Sequence, residues 1–231
     1  MWWEIKTVLH DTELTGFVNS GLLVADTRSR DVDSNVQVSE KALQMILDFE
    51  GMDQPSKWPG EQSGISLGHG YDLGYHERDE FMGDWGGLLT EDHLKRLAKA
   101  IGKKGGAAHN IAGDYTDITI KRADADTVFM RATLPKIKLW AAKAFPGVTA
   151  LHADAQGALV SLVYNRGPAM EGDRRREMRE VRDSVADPSL SMSEKLTRIA
   201  ASIRAMKRLW PDTLGLRRRR DAEAALVESA A

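Results

Sequence analysis

From position 36 almost to its end, this chain repeats apolar residues at steps of three and four, which is the spacing of one helix face. Glycines and strand-like alternation interrupt the pattern at residues 60–75, where the run SGISLGHGYDLG stands. The sequence therefore predicts a helical lobe with one small glycine-rich β element in its N-terminal half. That is an α+β architecture.

Capping residues mark where the predicted helices begin and end. Ser39 precedes the run EKALQMILDFE and Gly51 follows it, so a helix is predicted from the residue after Ser39 to Glu50. Thr90 takes the same position before EDHLKRLAKAIG. Further helical patterns cover 124–147, with a bend expected at Pro135, and about 153–165, 193–209 and 214–228.

Residues 1–35 differ from the rest of the chain. The run WWEIKTVLHDTELTGFVNSGLLV alternates apolar and polar residues and predicts short strands with turns at Asp11 and Gly16. The following ADTRSRDVDSNVQ has no periodicity and is typical of a linker. The strands resemble the closing half of a bacterial SH3-like module, which would make the chain a piece of a longer parent. We expect a short β appendage and linker at 1–35 and a catalytic domain at 36–231.

Composition excludes several classes of site. Cysteine is absent and the six histidines show no ligand spacing, so we expect neither a metal nor a cofactor. No apolar run approaches the roughly 20 residues of a membrane span, and the N-terminus lacks the pattern of a signal peptide. We therefore expect synthesis in the cytoplasm and no stable membrane insertion.

The net charge is −2, yet residues 171–220 hold 14 Lys and Arg against 8 Asp and Glu, which suits an anionic polymer without identifying it.

Acidic and hydroxyl side chains flank the glycine-rich run. Cleavage of a glycosidic bond needs a protonated carboxyl that donates to the leaving oxygen and a second polar group that positions or deprotonates water. Glu50 ends the first predicted helix, where the helix dipole and partial burial favour the neutral acid. Ser66 and Asp72 are candidates for the opposite wall of a groove, because the surrounding glycines permit close approach of a bulky chain.

Four runs resemble, in family order, the motifs of the phage-type lysozymes of glycoside hydrolase family 24, and most of all their pesticin-like bacterial relatives. They are DFEG, KWPGEQSGISLGHGYDLG, QGALVSLVYNRG and LGLRRRRDAEAAL, and together they span about residues 36–228. The resemblance implies a lysozyme-like fold. It also implies muramidase activity, the hydrolysis of the β-1,4 bond between N-acetylmuramic acid and N-acetylglucosamine in peptidoglycan.

The same resemblance implies roles for three residues. Glu50 matches the family's general acid, Ser66 matches a threonine that helps to hold the attacking water, and Asp72 matches an aspartate important in pesticin-like members. Ser66 keeps the hydroxyl without the methyl group that would restrict its rotamer. Phage lysozymes carry an aspartate shortly before the threonine, where this chain has Gly60 and Glu61. Asp72 is preferred as the second carboxylate, and Glu61 stays an alternative.

Aromatic and amide side chains near these positions are candidates for substrate binding. Tyr71 would either stack on a sugar ring or pack under the β element. Tyr164 and Asn165 end a predicted helix that lies near the groove in the family, although Asn165 could instead cap its own helix. His69 is open to a sugar contact or a structural role.

Two charged runs in the C-terminal third predict helix surfaces. The four arginines of 217–220 predict a solvated face, with Arg218 or Arg219 fixing the lobe. The run DRRREMREVRDS at 173–184 alternates in sign and predicts an exposed helix surface paired within itself.

The preferred prediction is an inverting muramidase, with carboxyl groups roughly 6.5 to 9.5 Å apart. The alternatives are a lytic transglycosylase on the same fold and a peptidoglycan-binding module without catalysis. We expect a monomer whose partner is peptidoglycan and not nucleic acid. A phage endolysin, a secreted antibacterial effector with its secretion and immunity partners, and the lytic end of a longer toxin all fit. Each would act on the wall in the periplasm or outside the cell after release or secretion.

Overall fold

The computed structural model describes residues 2–9, 12–19 and 35–230, and the chain divides into two compact units, Met1–Asp33 and Ser34–Ala231. In the first unit β1 (Trp2–Leu9) pairs antiparallel with β2 (Thr12–Asn19). The predicted strands are confirmed. The predicted turn at Gly16 is wrong, because this residue pairs with Ile5 inside the ladder. The other predicted turn residue, Asp11, and the linker lie outside the described residues.

The second unit is mostly helical. Its helices within 35–230 are α1 (Glu40–Glu50), α2 (Arg78–Trp85), α3 (Glu91–Leu97), α4 (Gly106–Ala112), α5 (Arg122–Val128), α6 (Leu134–Ala144), α7 (Ala153–Arg166), α8 (Arg176–Ala186), α9 (Met192–Ala205) and α10 (Leu214–Glu228). A small antiparallel hairpin joins β3 (Ser66–Leu67) to β4 (Tyr71–Asp72). The predicted helical unit with one small β element is confirmed. None of the described helices has the length and apolar character to cross a membrane.

Helix α1 forms where its capping residues predict. The Ser39 hydroxyl accepts the N–H of Ala42 at 3.2 Å, which satisfies one of the free donors at the helix start. The helix ends at Gly51, whose φ of +70° is one that glycine adopts without steric cost. Thr90 likewise accepts the N–H of His93 at the start of α3. The caps at Ser39 and Gly51 set the two ends of α1, so Glu50 is its last residue.

The helical run around Pro135 is interrupted, as predicted, but the interruption lies before the proline. A π turn at Phe129–Thr133 separates α5 from α6, and Pro135 falls in the first turn of α6. A proline is tolerated there because the first-turn N–H groups have no acceptor within the helix.

Two hydrophobic cores share the second unit. One is formed by α1 and α6–α10, and the other by the β3–β4 hairpin together with α2–α5. Val128 belongs to the hairpin core and the next residue, Phe129, to the helical core, so the π turn lies where the cores meet. Glu50 stands where the chain leaves the helical core for the hairpin core.

Both predictions of solvated charged surfaces need correction. In α8, Glu177 is fully buried and bonds Arg208 from beyond α9, so this helix is not paired only within itself. In α10, Arg219 and Arg220 are buried and only Arg218 of the four arginines is exposed. These buried guanidiniums are paired with acids, Arg219 with Glu50 of α1 and both arginines with Glu223 of α10.

Candidate active site

Glu50 is the last residue of α1, and its carboxylate has two distinct surroundings. Its Oε1 accepts a hydrogen bond from the Arg219 guanidinium of α10, and the Glu50 side chain is 18% exposed. Its Oε2 lies 3.9 Å from the position that a Cβ on Gly70 would occupy, and the Tyr164 hydroxyl lies 3.3 Å from the same position. Gly70 has φ +70° in the turn between β3 and β4. A glycine therefore keeps the hairpin turn open beside this carboxylate.

Ser66 and Asp72 meet on the hairpin, as the directly opposite residues of β3 and β4. The Asp72 carboxylate accepts the N–H of Gly64 at 3.0 Å and the N–H of Gly74 at 2.8 Å. A Cβ on Gly64 would lie 2.3 Å from Asp72 Oδ1, so the carboxylate fits closely against this backbone. Ser66 is 4% exposed. Backbone donors thus fix the Asp72 carboxylate next to the Ser66 position.

A third acid, Asp53, belongs to the same neighbourhood and was missed in the sequence. Its N–H and carbonyl exchange hydrogen bonds of 2.7 and 2.9 Å with Gly68 of the hairpin. Burial, and then the charges of Glu50 and Asp72, raise the pKa of Asp53, while His69 opposes them. The charges of Glu50 and Asp72 therefore both act on the Asp53 carboxyl. No local pattern marks it, because α1 ends at Glu50 and the pairing with Gly68 is long-range.

The alternative second carboxylate, Glu61, occupies a different setting. It is exposed in the loop before the hairpin, with φ +50°. The structure pairs Ser66 with Asp72 on the hairpin, places Glu50 beside the Gly70 turn of the same hairpin, and leaves Glu61 on an exposed turn.

His69 and Tyr164 connect the hairpin to the helices around it. His69 is buried, with Nδ1 at 2.9 Å from the Gly51 carbonyl oxygen and Nε2 at 2.7 Å from Asp126 Oδ1. The Tyr164 hydroxyl donates to the His69 carbonyl at 2.7 Å. Burial, followed by the charge of Glu50, raises the pKa of Tyr164, so this phenol stays a hydrogen-bond donor. These contacts are structural, and a structural role was one of the two roles predicted for His69.

The other two candidates for substrate binding lie in contrasting places. Tyr71 is buried, donates to Asp84 at 2.9 Å and stacks on His76 with ring centroids 3.8 Å apart. Packing under the β element describes this geometry, and stacking on a sugar does not. Asn165 is exposed at the end of α7 and lines a surface cavity with Trp210.

Buried polar groups hold Arg219 in place behind Glu50. Its guanidinium donates to the Ser161 carbonyl at 3.2 Å, and the Ser161 hydroxyl donates to Glu223 Oε1 at 2.7 Å. Burial raises the pKa of Glu223, against the opposing charges of Arg220 and Arg219. Because α7 and α10 are joined through these groups, Arg219 presents its charge to Glu50 from a fixed position.

Within the described residues, no group of three or more His, Asp or Glu side chains is arranged to hold a metal ion. The site contains instead an acid held by a guanidinium, a hydroxyl and two further carboxyl groups. Such a set can donate a proton and orient water. No model of a known protein family matches the chain, and no curated protein matches it at a significant level.

Proposed function

We propose that the chain has a lysozyme-like fold and is a muramidase, which hydrolyses the β-1,4 bond between N-acetylmuramic acid and N-acetylglucosamine in bacterial peptidoglycan. One observation carries the proposal: the Glu50 carboxylate lies beside the Gly70 turn of the hairpin on which Ser66 and Asp72 are direct partners. A proton donor thereby stands next to a hydroxyl and a second acid that can direct water. The four family-like sequence motifs support the same reading.

In this proposal Glu50 donates its proton to the leaving glycosidic oxygen as the bond breaks and positive charge develops on the sugar ring. Gly70 itself adds no side chain beside Oε2, so the turn does not fill the space in which the sugar chain would lie. Donation leaves Glu50 negatively charged. The hydrogen bond from Arg219 stabilises that carboxylate, because a charge-assisted bond is stronger than a neutral one.

Water attacks from the opposite face of the ring. The Ser66 hydroxyl can hold this water, and Asp72 supplies the negative charge that orients or deprotonates it. The hydrogen bonds from Gly64 and Gly74 fix the direction of the Asp72 carboxylate before substrate arrives. This is inversion, for which the two carboxyl groups need roughly 6.5 to 9.5 Å between them.

The test is digestion of purified sacculi by the unmodified protein and by the Glu50→Gln variant. We expect release of soluble muropeptides from the first and a loss of about 100-fold or more in rate from the second, the contribution typical of a general acid. Glu40→Gln is the matched control, because Glu40 is an exposed glutamate at the other end of α1. Circular dichroism checks that all three proteins are folded. Undiminished lysis by Glu50→Gln would end the proposal.

A lytic transglycosylase, which needs only one acid, is the second candidate. The Asp72 carboxylate is occupied by backbone donors, whereas Oε2 of Glu50 lies at the hairpin turn, so Glu50 is the acid that remains for proton transfer. That reaction yields an anhydro-sugar end in place of a reducing end. Mass spectrometry of the released fragments separates the two, since the anhydro product is lighter by one water. Binding to sacculi with no released sugar would instead indicate a binding module without catalysis.

A further inference from the structure

A cavity of about 390 Å³ opens beside the C-terminal end of α7. It is lined by Asn165, Arg166, Glu171, Arg174, Arg175 and Trp210. Half of these residues are arginines and one is an acid. We call it the arginine cavity.

A further arginine lies behind the cavity wall. Arg220 is fully buried, and its guanidinium lies 5.8 Å from the ring centroid of Trp210. The guanidinium of Arg166 lies 5.1 Å from the same ring. Trp210 therefore brings a buried and a half-buried cation together at this cavity.

Several N–H groups of these arginines have no acceptor. Among the described residues, Arg166 Nη1, Arg175 Nη1 and both Nε and Nη1 of Arg220 are buried without a hydrogen-bond partner. Burial of unpaired charged donors is costly, and proteins ordinarily pair such groups. Arg166 and Arg175 line the cavity and Arg220 lies behind Trp210, so the cavity is bordered by cations that the protein does not fully pair.

The neighbouring acids do not supply that acceptor. Glu223 Oε1 accepts from Arg220 at 2.8 Å, but the same oxygen also accepts from Ser161 and Arg219. Its second oxygen, Oε2, is buried and makes no hydrogen bond to a described residue, so it does not pair the remaining N–H groups of Arg220. Glu177 is bonded by Arg208, and Glu171 is exposed at the cavity edge. Positive charge therefore remains in excess.

The cations at this cavity repel one another, and the repulsion contributes to the pKa of Arg166. Burial, and then the charges of Arg175 and Arg220, lower the pKa of Arg166 to about 10, with Glu177 opposing them. A bound anion would remove that repulsion.

Two helices connect the arginine cavity with Glu50 and the hairpin. Arg219, the neighbour of Arg220 in α10, bonds Glu50 directly. Tyr164, two residues before Arg166, bonds the hairpin at His69. The helices that border the cavity, α7 and α10, are thus also the helices that bond the hairpin and Glu50.

We propose that the arginine cavity binds a carboxylate of the peptides that branch from the peptidoglycan strand. This assignment rests on the proposed muramidase function. Guanidinium groups recognise planar carboxylates through paired hydrogen bonds, and a ring such as Trp210 supports them by stacking. Phosphate offers the same anionic oxygens, so it serves as a probe of the site.

The variant Arg175→Gln tests the site with little risk to the fold, because the Arg175 side chain is only partly buried and makes no hydrogen bond to a described residue. Arg218→Gln is the control, since Arg218 is exposed and lies outside the cavity. Without phosphate, Arg175→Gln should melt at the same temperature as the unmodified protein or higher. With saturating inorganic phosphate, the unmodified protein and Arg218→Gln should each gain about 3 °C or more, and Arg175→Gln should gain less than half of this. An equal gain in all three would overturn the anion site.

The source of the carboxylate is tested with two substrates of identical glycan. One is native sacculi, and in the other the peptide carboxylates have been converted to amides with carbodiimide and ammonia. On native sacculi, Arg175→Gln should raise KM about 10-fold with kcat unchanged, the size expected of one charged hydrogen bond. On amidated sacculi its KM should equal that of the unmodified protein. A KM ratio that is the same on both substrates would refute the peptide assignment.

The two proposals fail in different ways. If the unmodified protein cleaves neither substrate, the muramidase proposal and the peptide assignment fall together, while the phosphate titration still decides whether the cavity is an anion site. If cleavage is normal and Arg175→Gln behaves as the unmodified protein in every assay, the arginine cavity proposal alone is refuted.

Discussion

The Arg219 guanidinium of α10 donates a hydrogen bond to the carboxylate of Glu50 at the end of α1, across 169 positions of the chain. The same guanidinium donates to the Ser161 carbonyl of α7. One buried cation therefore connects three helices and sets the orientation of the proposed proton donor.

Replacement of Arg219 by glutamine should lower both stability and activity. It removes the partner of Glu50 and leaves Glu223 buried with one cation fewer, so we expect a loss of about 3 to 5 kcal/mol in the free energy of unfolding. Urea unfolding measures this loss. The control is Arg218→Gln, an exposed neighbour in α10 that should change stability by no more than about 0.5 kcal/mol. Equal stabilities for the two variants would contradict the role given to Arg219.

Ser66 is expected to act through its hydroxyl. Ser66→Ala should retain the fold and lose about 10-fold or more in kcat, because water is no longer held beside Asp72. Ser66→Thr keeps the hydroxyl and restricts its rotamer, so its kcat should stay within a few-fold of the unmodified protein once the added methyl is accommodated at this buried position. Sacculus digestion with thermal melting of each variant separates a catalytic loss from unfolding. An active Ser66→Ala variant would remove the hydroxyl from the mechanism.

The role of the second carboxylate is tested by comparing Asp72→Asn with Asp53→Asn. In Asp72→Asn the amide oxygen can still accept the N–H of Gly74, so the turn is retained while the charge is lost. We expect a loss of about 100-fold in kcat for Asp72→Asn and about 10-fold or less for Asp53→Asn. Rates on sacculi at saturating substrate measure both. The reverse order would move the water-directing role to Asp53.

Local signals predicted much of the helical unit. Ser39 and Gly51 bound α1 because a cap and a stop act within one turn of the chain. The alternation around Ser66 and its glycines likewise predicted a small β element, which the structure shows as a hairpin. These features depend on neighbours in sequence, which is why periodicity and capping residues suffice to find them.

Long-range contacts decided what the sequence left open. Nothing local distinguishes Arg218, which is exposed, from Arg219, which bonds an acid on another helix. Tyr71 could stack on a sugar or pack inside until the positions of Asp84 and His76 were known. Asp53 is a site residue only because Gly68 pairs with its backbone. Such assignments need tertiary structure, because the partners are set by packing and not by spacing.

Close packing between α1 and α7 should be sensitive to one added methyl group. A Cβ on Gly157 of α7 would lie 2.2 Å from the Cβ of Ala42 in α1, so the helices must separate. We expect Gly157→Ala to lose about 1 to 3 kcal/mol of stability and to reduce activity by displacing Glu50. Gly113→Ala is the control, because a Cβ there meets nothing within 4 Å and φ is −59°. It should be neutral or gain up to about 1 kcal/mol. Chemical denaturation of both variants is the measurement.

Stability near the site should depend on pH through Asp53. Its pKa in the folded protein is raised above 3.8 by burial and by the charges of Glu50 and Asp72. Between 3.8 and that raised pKa the folded state holds more protons than the unfolded state, so the stability that the Asp53 carboxyl contributes falls as pH rises. Asp53→Asn carries no such charge. The variant should therefore match the unmodified protein below the ordinary pKa and become the more stable of the two as pH rises through the raised one.

Urea unfolding of both proteins in steps from about pH 3.5 to about pH 8 measures the difference, which should reach a plateau at the upper end. Asp48→Asn is the control, because Asp48 lies on the exposed side of α1 and is not one of the acids that act on Asp53. It should show no such rise. A difference that is independent of pH, or that favours the unmodified protein at neutral pH, would mean that Asp53 does not share the field of the other two acids.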